Sequence, residues 1–359
     1  MKKNHFFLIP LFLVSCHELP VSVPSNQQQT AGDPGSTYAT MYVLNEGNWG
    51  ANKASLDMLD LNSGIYTTNL YPERNPNVVK ELGDCGSDIA AYGGRIYAVI
   101  NNSHKVEVLT PSIHRIAQVD IPTPRYIAFH DNIAYITSYV SRTNTPNIGA
   151  IYAVDTASLR VIDTAFVGPQ PDELVIQDNL LYCTCSGGYN YPNYDSTISV
   201  VNRTTMHEVR KITVGINPIR IRQDQQGRLW VLCSGNYADV SPSIVVLENE
   251  QIIHRFDVNA SNLTICGDTL YYLGTYPNTY GRIRISDLEL RPEDCWITDG
   301  TDKDIQTPYG LLVNPSTRTI YVTDAVNYTS SGRLYGYNQQ GQRILSATTG
   351  DVPAHLALY

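Results

Sequence analysis

Apolar residues in this chain come in short runs bounded by Gly, Asn, Asp, Ser and Pro, from about Tyr38 to the C-terminus. Runs of that length with turn residues between them predict β-strands, and the spacing of an amphipathic helix is nearly absent. One aromatic recurs near the middle of a run: Tyr42, Tyr97, Tyr135, Tyr182, Trp230, Tyr271 and Tyr321, at separations of 38 to 55 residues. Each anchor run is followed by a loop and a second run: Ser55–Asp60, Lys105–Thr110, Ala150–Asp155, Thr197–Asn202, Ser243–Glu248, Arg282–Asp287 and Arg333–Asn338. A third run follows, as in 160–167, 208–214 and 251–258. Then a turn, Pro-containing at Pro124, Pro171, Pro218 and Pro308, leads into a short strand before the next anchor. Four strands per repeat at this period describe the blades of a β-propeller.

The two ends complement each other. Thr40–Asn45 is an anchor strand with no innermost strand before it, and 353–359 is an innermost strand with nothing after it. Joined in one sheet, they close the ring and remove the open edges a linear array would leave. The expected fold is therefore all-β: a seven-bladed propeller closed by its N- and C-terminal strands.

The first residues carry a different signal. Lys2 and Lys3 precede an apolar stretch from Phe6 to Val14, too short to span a bilayer, which ends in Leu13-Val14-Ser15-Cys16. That ending resembles a bacterial lipobox. It implies cleavage before Cys16, acylation of its thiol, and a protein held to a membrane by lipid alone. Residues 1–15 are thus read as a leader, and 16–37, rich in Gln, Ser, Pro and Gly, as the lipidated Cys16 and a flexible tether. The propeller is assigned to 38–359. The chain has 25 basic and 34 acidic residues, a net charge of −9, and losing Lys2 and Lys3 makes it about −11. With no Lys/Arg run, nucleic acid is not an expected partner. Cys85, Cys183, Cys185, Cys233, Cys266 and Cys295 remain beyond Cys16; their pairing is not readable from spacing, and no C-x-x-C pair points to zinc.

Propeller topology places the loops after the anchor strands and the loops entering the innermost strands on one face. The first set carries Trp49, Tyr139, Tyr189, Tyr191, Tyr194, Tyr237, Tyr276, Tyr280 and Tyr328. Tyr joins a broad apolar ring to a hydroxyl and loses little rotamer entropy when ordered, so such a face suits recognition. The same rings also serve to pack neighbouring blades, and for any single Tyr both readings stand. The entering loops add Asp88, Arg125, Tyr126, Asp172, Arg220, Tyr309 and His355, with Asp84, Ser87, Glu173 and Asn262 beside them. Adjacent Asp172 and Glu173 should point to opposite sides of their strand, with one facing the channel.

Some propellers hold a central metal and hydrolyse lactones. Asp88, Asp172, Asn262 and His355 are the candidates for such a site here. No Gly-x-Ser-x-Gly, His-Glu-x-x-His or phosphate loop accompanies them, so neither an enzyme nor a resident cofactor is expected. A glycan- or peptide-binding scaffold uses the same kind of face as a small-ligand binder.

The stretch Met41-Tyr42-Val43-Leu44-Asn45-Glu46-Gly47-Asn48-Trp49-Gly50-Ala51-Asn52-Lys53-Ala54-Ser55-Leu56-Asp57 resembles the opening of Bacteroidetes surface lipoproteins with a YncE-like propeller. That group includes vitamin B12-binding members that cap an outer-membrane barrel. The resemblance implies that this chain sits at the outer membrane, on the cell surface, binds cobalamin or another corrinoid and passes it to a TonB-dependent transporter. It assigns no individual binding residue.

Overall fold

The computed structural model describes residues 26–78, 80–140, 147–290 and 295–359. The leader and Cys16 lie outside the described residues. Among these residues, seven antiparallel sheets form, six of four strands and one of five. Numbered by their anchors, the innermost strands of blades one to seven are Pro353–Leu358, Gly86–Tyr92, Pro124–His130, Pro171–Gln177, Pro218–Gln223, Asn262–Cys266 and Pro308–Val313. Each touches the innermost strand on either side, so the ring is complete. The closing blade pairs Pro353–Leu358 with Thr40–Asn45, in a register that sets Tyr42 against Ala357 and Leu44 against His355. This is the expected seven-bladed propeller and the expected closure.

The anchor strands are buried almost end to end, as in Arg95–Ile100 and Leu180–Cys185, because a blade covers each of their faces. Blade one contributes Tyr42, Leu44 and Leu56 to the same cluster as Ile89, Ile96 and Ala98 of blade two. The outer strands Arg160–Val167 and His207–Thr213 are largely exposed. Six of the seven anchors are buried and Tyr271 is half-buried. Their polar atoms are satisfied inside: Trp230 Nε1 donates to Asp224 at 2.9 Å and the Tyr321 hydroxyl to Asp33 at 2.8 Å.

Two expectations need correction. The fold begins before Tyr38. Gln27–Gln29 is a fifth strand on blade one, paired with Ile65–Thr67. Asp33 is buried and accepts from Asn314, Thr317, Thr319 and Tyr321 of blade seven. The polar composition that suggested a tether is used for hydrogen bonding, with Gln28 donating to Thr348 O and accepting from Thr348 N, both at 2.8 Å. In blade six the second strand is Thr279–Arg284, three residues earlier than expected, because it starts directly after a tight loop with Thr279 opposite Gly274.

In six of the seven blades the pairing of innermost and anchor strand slips near the start of the innermost strand, as at 86–88, 171–174 and 308–311. Bulges at this level bend the strand and re-aim its first side chains towards the mouth of the ring. Cys183, Cys185, Cys233 and Cys266 are buried, and the six described cysteines are free thiols.

Candidate functional site

A cavity of about 720 Å³ opens at the mouth of the ring. Glu46, Ser234, Tyr237 and Tyr276 reach it from loops that follow anchor strands. Arg125, Tyr126, Asp172, Ile219, Arg220 and Tyr309 reach it from the starts of innermost strands. The two loop classes do converge on one face. The size falls in the range of ordinary small-ligand sites.

One side of the cavity is polar and held rigidly. Arg125 Nε lies 3.2 Å from Asp172 Oδ1, and the Tyr139 hydroxyl donates to that same oxygen at 2.9 Å. Arg220 Nη1 donates to Glu173 Oε1 at 2.8 Å and to the Tyr126 hydroxyl. Both guanidinium carbons sit near the Tyr126 ring, at 5.5 and 5.2 Å from its centroid. Glu173 also receives Ile221 N–H at 3.1 Å and an ion pair from Arg222. Burial works to raise the Glu173 carboxyl, but Arg222 and Arg220 outweigh it and hold it below its usual range. Asp172 lines the cavity, whereas Glu173 points behind it to blade five.

Beside this cluster the Tyr309 hydroxyl donates to Glu46 Oε1 at 3.0 Å, and His355 Nε2 is 3.6 Å from the same atom. The His355 ring meets Tyr126 edge-on with centroids 6.0 Å apart. Asp88 accepts from Ile89 N at 2.9 Å and Ile127 N at 3.0 Å. Burial pushes its carboxyl up to about 6, with the charge of His355 pulling the other way.

The other side of the cavity is apolar: Ile219, Ala238, Val240, Pro242 and Ala260, all from blades five and six. Above it stand Tyr237 and Tyr276, 75% and 81% exposed. From blade three across blade four an aromatic rail runs to the edge of the cavity. Tyr189 meets Tyr139 edge-on at 5.3 Å, and Tyr191, Tyr194 and Tyr237 follow one another at 6.0 Å. Across the mouth, Tyr328 packs edge-on against Tyr309 at 5.7 Å, and Trp49 is exposed on its loop.

Of the residues singled out from sequence, Arg125, Tyr126, Asp172, Arg220, Tyr237, Tyr276 and Tyr309 line the cavity. Tyr139, His355 and Asp88 stand against or near them, while Tyr189, Tyr191, Tyr194, Tyr328 and Trp49 form the rim. Tyr280 does not belong to the face. It lies within a strand opposite Leu273, is buried, and packs edge-on against Trp296 at 5.4 Å. It packs the protein interior instead. Glu46 and the blade-five wall from Ala238 to Pro242 were missed. Glu46 lies in the loop that carries Trp49, and the wall residues are small apolar types that leave no compositional mark.

Among the described residues no three His, Cys, Asp or Glu side chains converge as a metal site would require. The acceptors weighed for one are committed elsewhere: Asp88 to backbone N–H groups, Asp172 to Arg125 and Tyr139, and Asn262 Oδ1 to Leu263 N.

No family model matches the sequence, and no curated protein does. Solved structures do resemble it. A quinonprotein alcohol dehydrogenase-like protein from Bacteroides thetaiotaomicron aligns with TM-score 0.63 at 12% identity, over 88% of this chain and 77% of that one. A provisionally assigned 6-phosphogluconolactonase from Bacteroides fragilis gives 0.61 at 11% identity, over 91% and 100%. A streptogramin B lyase gives 0.56 at 12% identity, over 76% and 86%. What these share with the chain is the propeller fold. At such identity their activities do not transfer with it.

Proposed function

We propose that this chain is a non-catalytic, lipid-anchored surface propeller that captures a broad amphipathic ligand at its tyrosine-rich face and passes it to a TonB-dependent outer-membrane barrel. The observation that supports it is the cavity of about 720 Å³, polar on one side, apolar on the other, and rimmed by exposed aromatic rings. A corrinoid has that character, being a flat ring system fringed with amides. Its apolar face can lie against the wall from Ile219 to Ala260, and its amides can bond to Arg220, Tyr126 and Tyr309. The choice of a corrinoid over other amphipathic ligands rests on the resemblance carried by Met41–Asp57. The resemblance and the Cys16 motif together support the anchor and the transporter partner.

The test is titration calorimetry of cyanocobalamin into the chain from Asn26 onward, with co-elution on a sizing column. Heat and co-elution at micromolar concentrations are expected; absence of both overturns the corrinoid reading. The rail of Tyr191, Tyr194 and Tyr237 favours a second occupant, a glycan chain stacked across these rings. Binding on a glycan array, lost on Tyr191→Ala but not on Arg220→Ala, would establish that reading in place of the first.

A further inference from the structure

We infer that the cavity selects a neutral ligand over an anionic one, and that Asp172 and Glu173 are the residues that impose this selection. The inference rests on the cavity being the binding site. Its eighteen lining residues carry two guanidiniums, Arg125 and Arg220, and two carboxylates, Glu46 and Asp172. The pairing is internal. Arg125 is paired with Asp172 at 3.2 Å, and Arg220 shares Glu173, 2.8 Å away just behind the lining, with Arg222. Each cation also has the Tyr126 ring close by, and Asp172 and Glu173 are 4% and 6% exposed. An anionic group that accepts from Arg125 or Arg220 either displaces a buried carboxylate and leaves it unpaired, or lies against that carboxylate as a like charge, and both are costly away from water.

A neutral group meets neither obstacle. The guanidiniums have five N–H donors apiece, and the carboxylates use only some of them. The rest can serve a ligand. An amide or hydroxyl oxygen can accept from such a donor while both ion pairs stay closed. Selection then works by penalising the charged competitor more than by adding attraction for the neutral ligand.

Two probes of one shape and different charge decide this: cyanocobalamin, and its monocarboxylic acid in which one side-chain amide is hydrolysed. The readout is the ratio of their affinities, which a merely structural defect does not move. Wild type should favour the neutral probe by about tenfold or more, as the loss of one good charge pairing implies. Asp172→Asn leaves Arg125 uncompensated and should bring the ratio to about one or below. Arg125→Met removes the opposite charge and should widen it, and urea unfolding of both variants checks that they are folded. Equal binding of the two probes by wild type, or a ratio that neither variant moves, overturns the charge selection while leaving capture intact. Binding of neither probe overturns both.

Discussion

Asp33→Ala tests whether the N-terminal segment is part of the propeller's closure. The carboxylate is 5% exposed and takes hydrogen bonds from four groups on blade seven: Asn314 Nδ2, Thr317 Oγ1 and the Tyr321 hydroxyl at 2.8 Å, and Thr319 Oγ1 at 3.1 Å. Its own N–H donates to Leu61 O of blade one at 2.7 Å. The side chain therefore ties blade seven to blade one across the seam where the chain closes. A hydrogen bond to a charged acceptor contributes about 1.5–3 kcal/mol. The four do not add fully, because Thr317 and Thr319 already lie 3.0 Å apart and can bond each other. The buried Tyr321 hydroxyl has no such alternative. We expect a loss of about 3–5 kcal/mol, comparable to breaking a buried ionic contact, and a fall in Tm on the order of 5–10 °C. Urea unfolding followed by far-UV circular dichroism measures it, comparing the chain from Asn26, its Asp33→Ala variant and a chain starting at Tyr38. The shortened chain should lose at least as much as the variant, since it also lacks the Gln28–Thr348 pair. If both stay within about 1 kcal/mol of the parent, the pairing of Thr40–Asn45 with Pro353–Leu358 closes the ring unaided and the reasoning fails.

Two further substitutions separate structure from recognition. Tyr280→Ala should cost about 3–5 kcal/mol by emptying the space against Trp296, whereas Tyr280→Phe should cost nothing, because its buried hydroxyl has no hydrogen-bond partner. Tyr276→Ala, at an 81% exposed position over the cavity, should leave stability within about 0.5 kcal/mol and weaken ligand binding. Asp88→Asn tests the half-buried acid near the axis. Because burial raises that carboxyl from 3.8 to about 6, the folded state holds its proton longer than the unfolded chain, and this contribution declines as pH rises through that interval. Asn removes the dependence. The stability difference between variant and wild type should therefore move in the variant's favour, by on the order of 2–3 kcal/mol, between pH 4 and pH 7 in urea unfolding.

The fold was legible because a propeller repeats its most demanding position. A strand covered on both faces needs an apolar run with one large ring, and Tyr42, Tyr135, Trp230 and Tyr321 announce it each time. The tether reading failed at Gln27–Gln29 and Asp33 for the opposite reason. An outermost strand has one edge and one face to satisfy, and Gln, Thr and Asp do that with hydrogen bonds, so it carries no apolar signature. Tyr280 failed through register: a loop of four residues and a longer one look alike when both are rich in Tyr, Pro, Asn and Thr, and only the pairing of Thr279 with Gly274 fixes where the strand starts.

The site was legible as a set of residue types on one face, but not as an arrangement. Asp172, Glu173, Arg125 and Arg220 stand on three blades, the partners of each pair 47 residues apart in sequence, and simple alternation does not predict how they meet. The bulge recurring at the mouth re-aims the side chains there, and it leaves no mark on any single strand's composition. Across the ring it turns six ordinary strand starts into a collar where a carboxylate of one blade can reach a guanidinium of the next. Charge pairing between blades is thus a consequence of the repeat geometry, while which blades hold acids and which hold bases is free to vary. That freedom is what allows one closed scaffold to be tuned to different ligands by changing a few residues at its mouth.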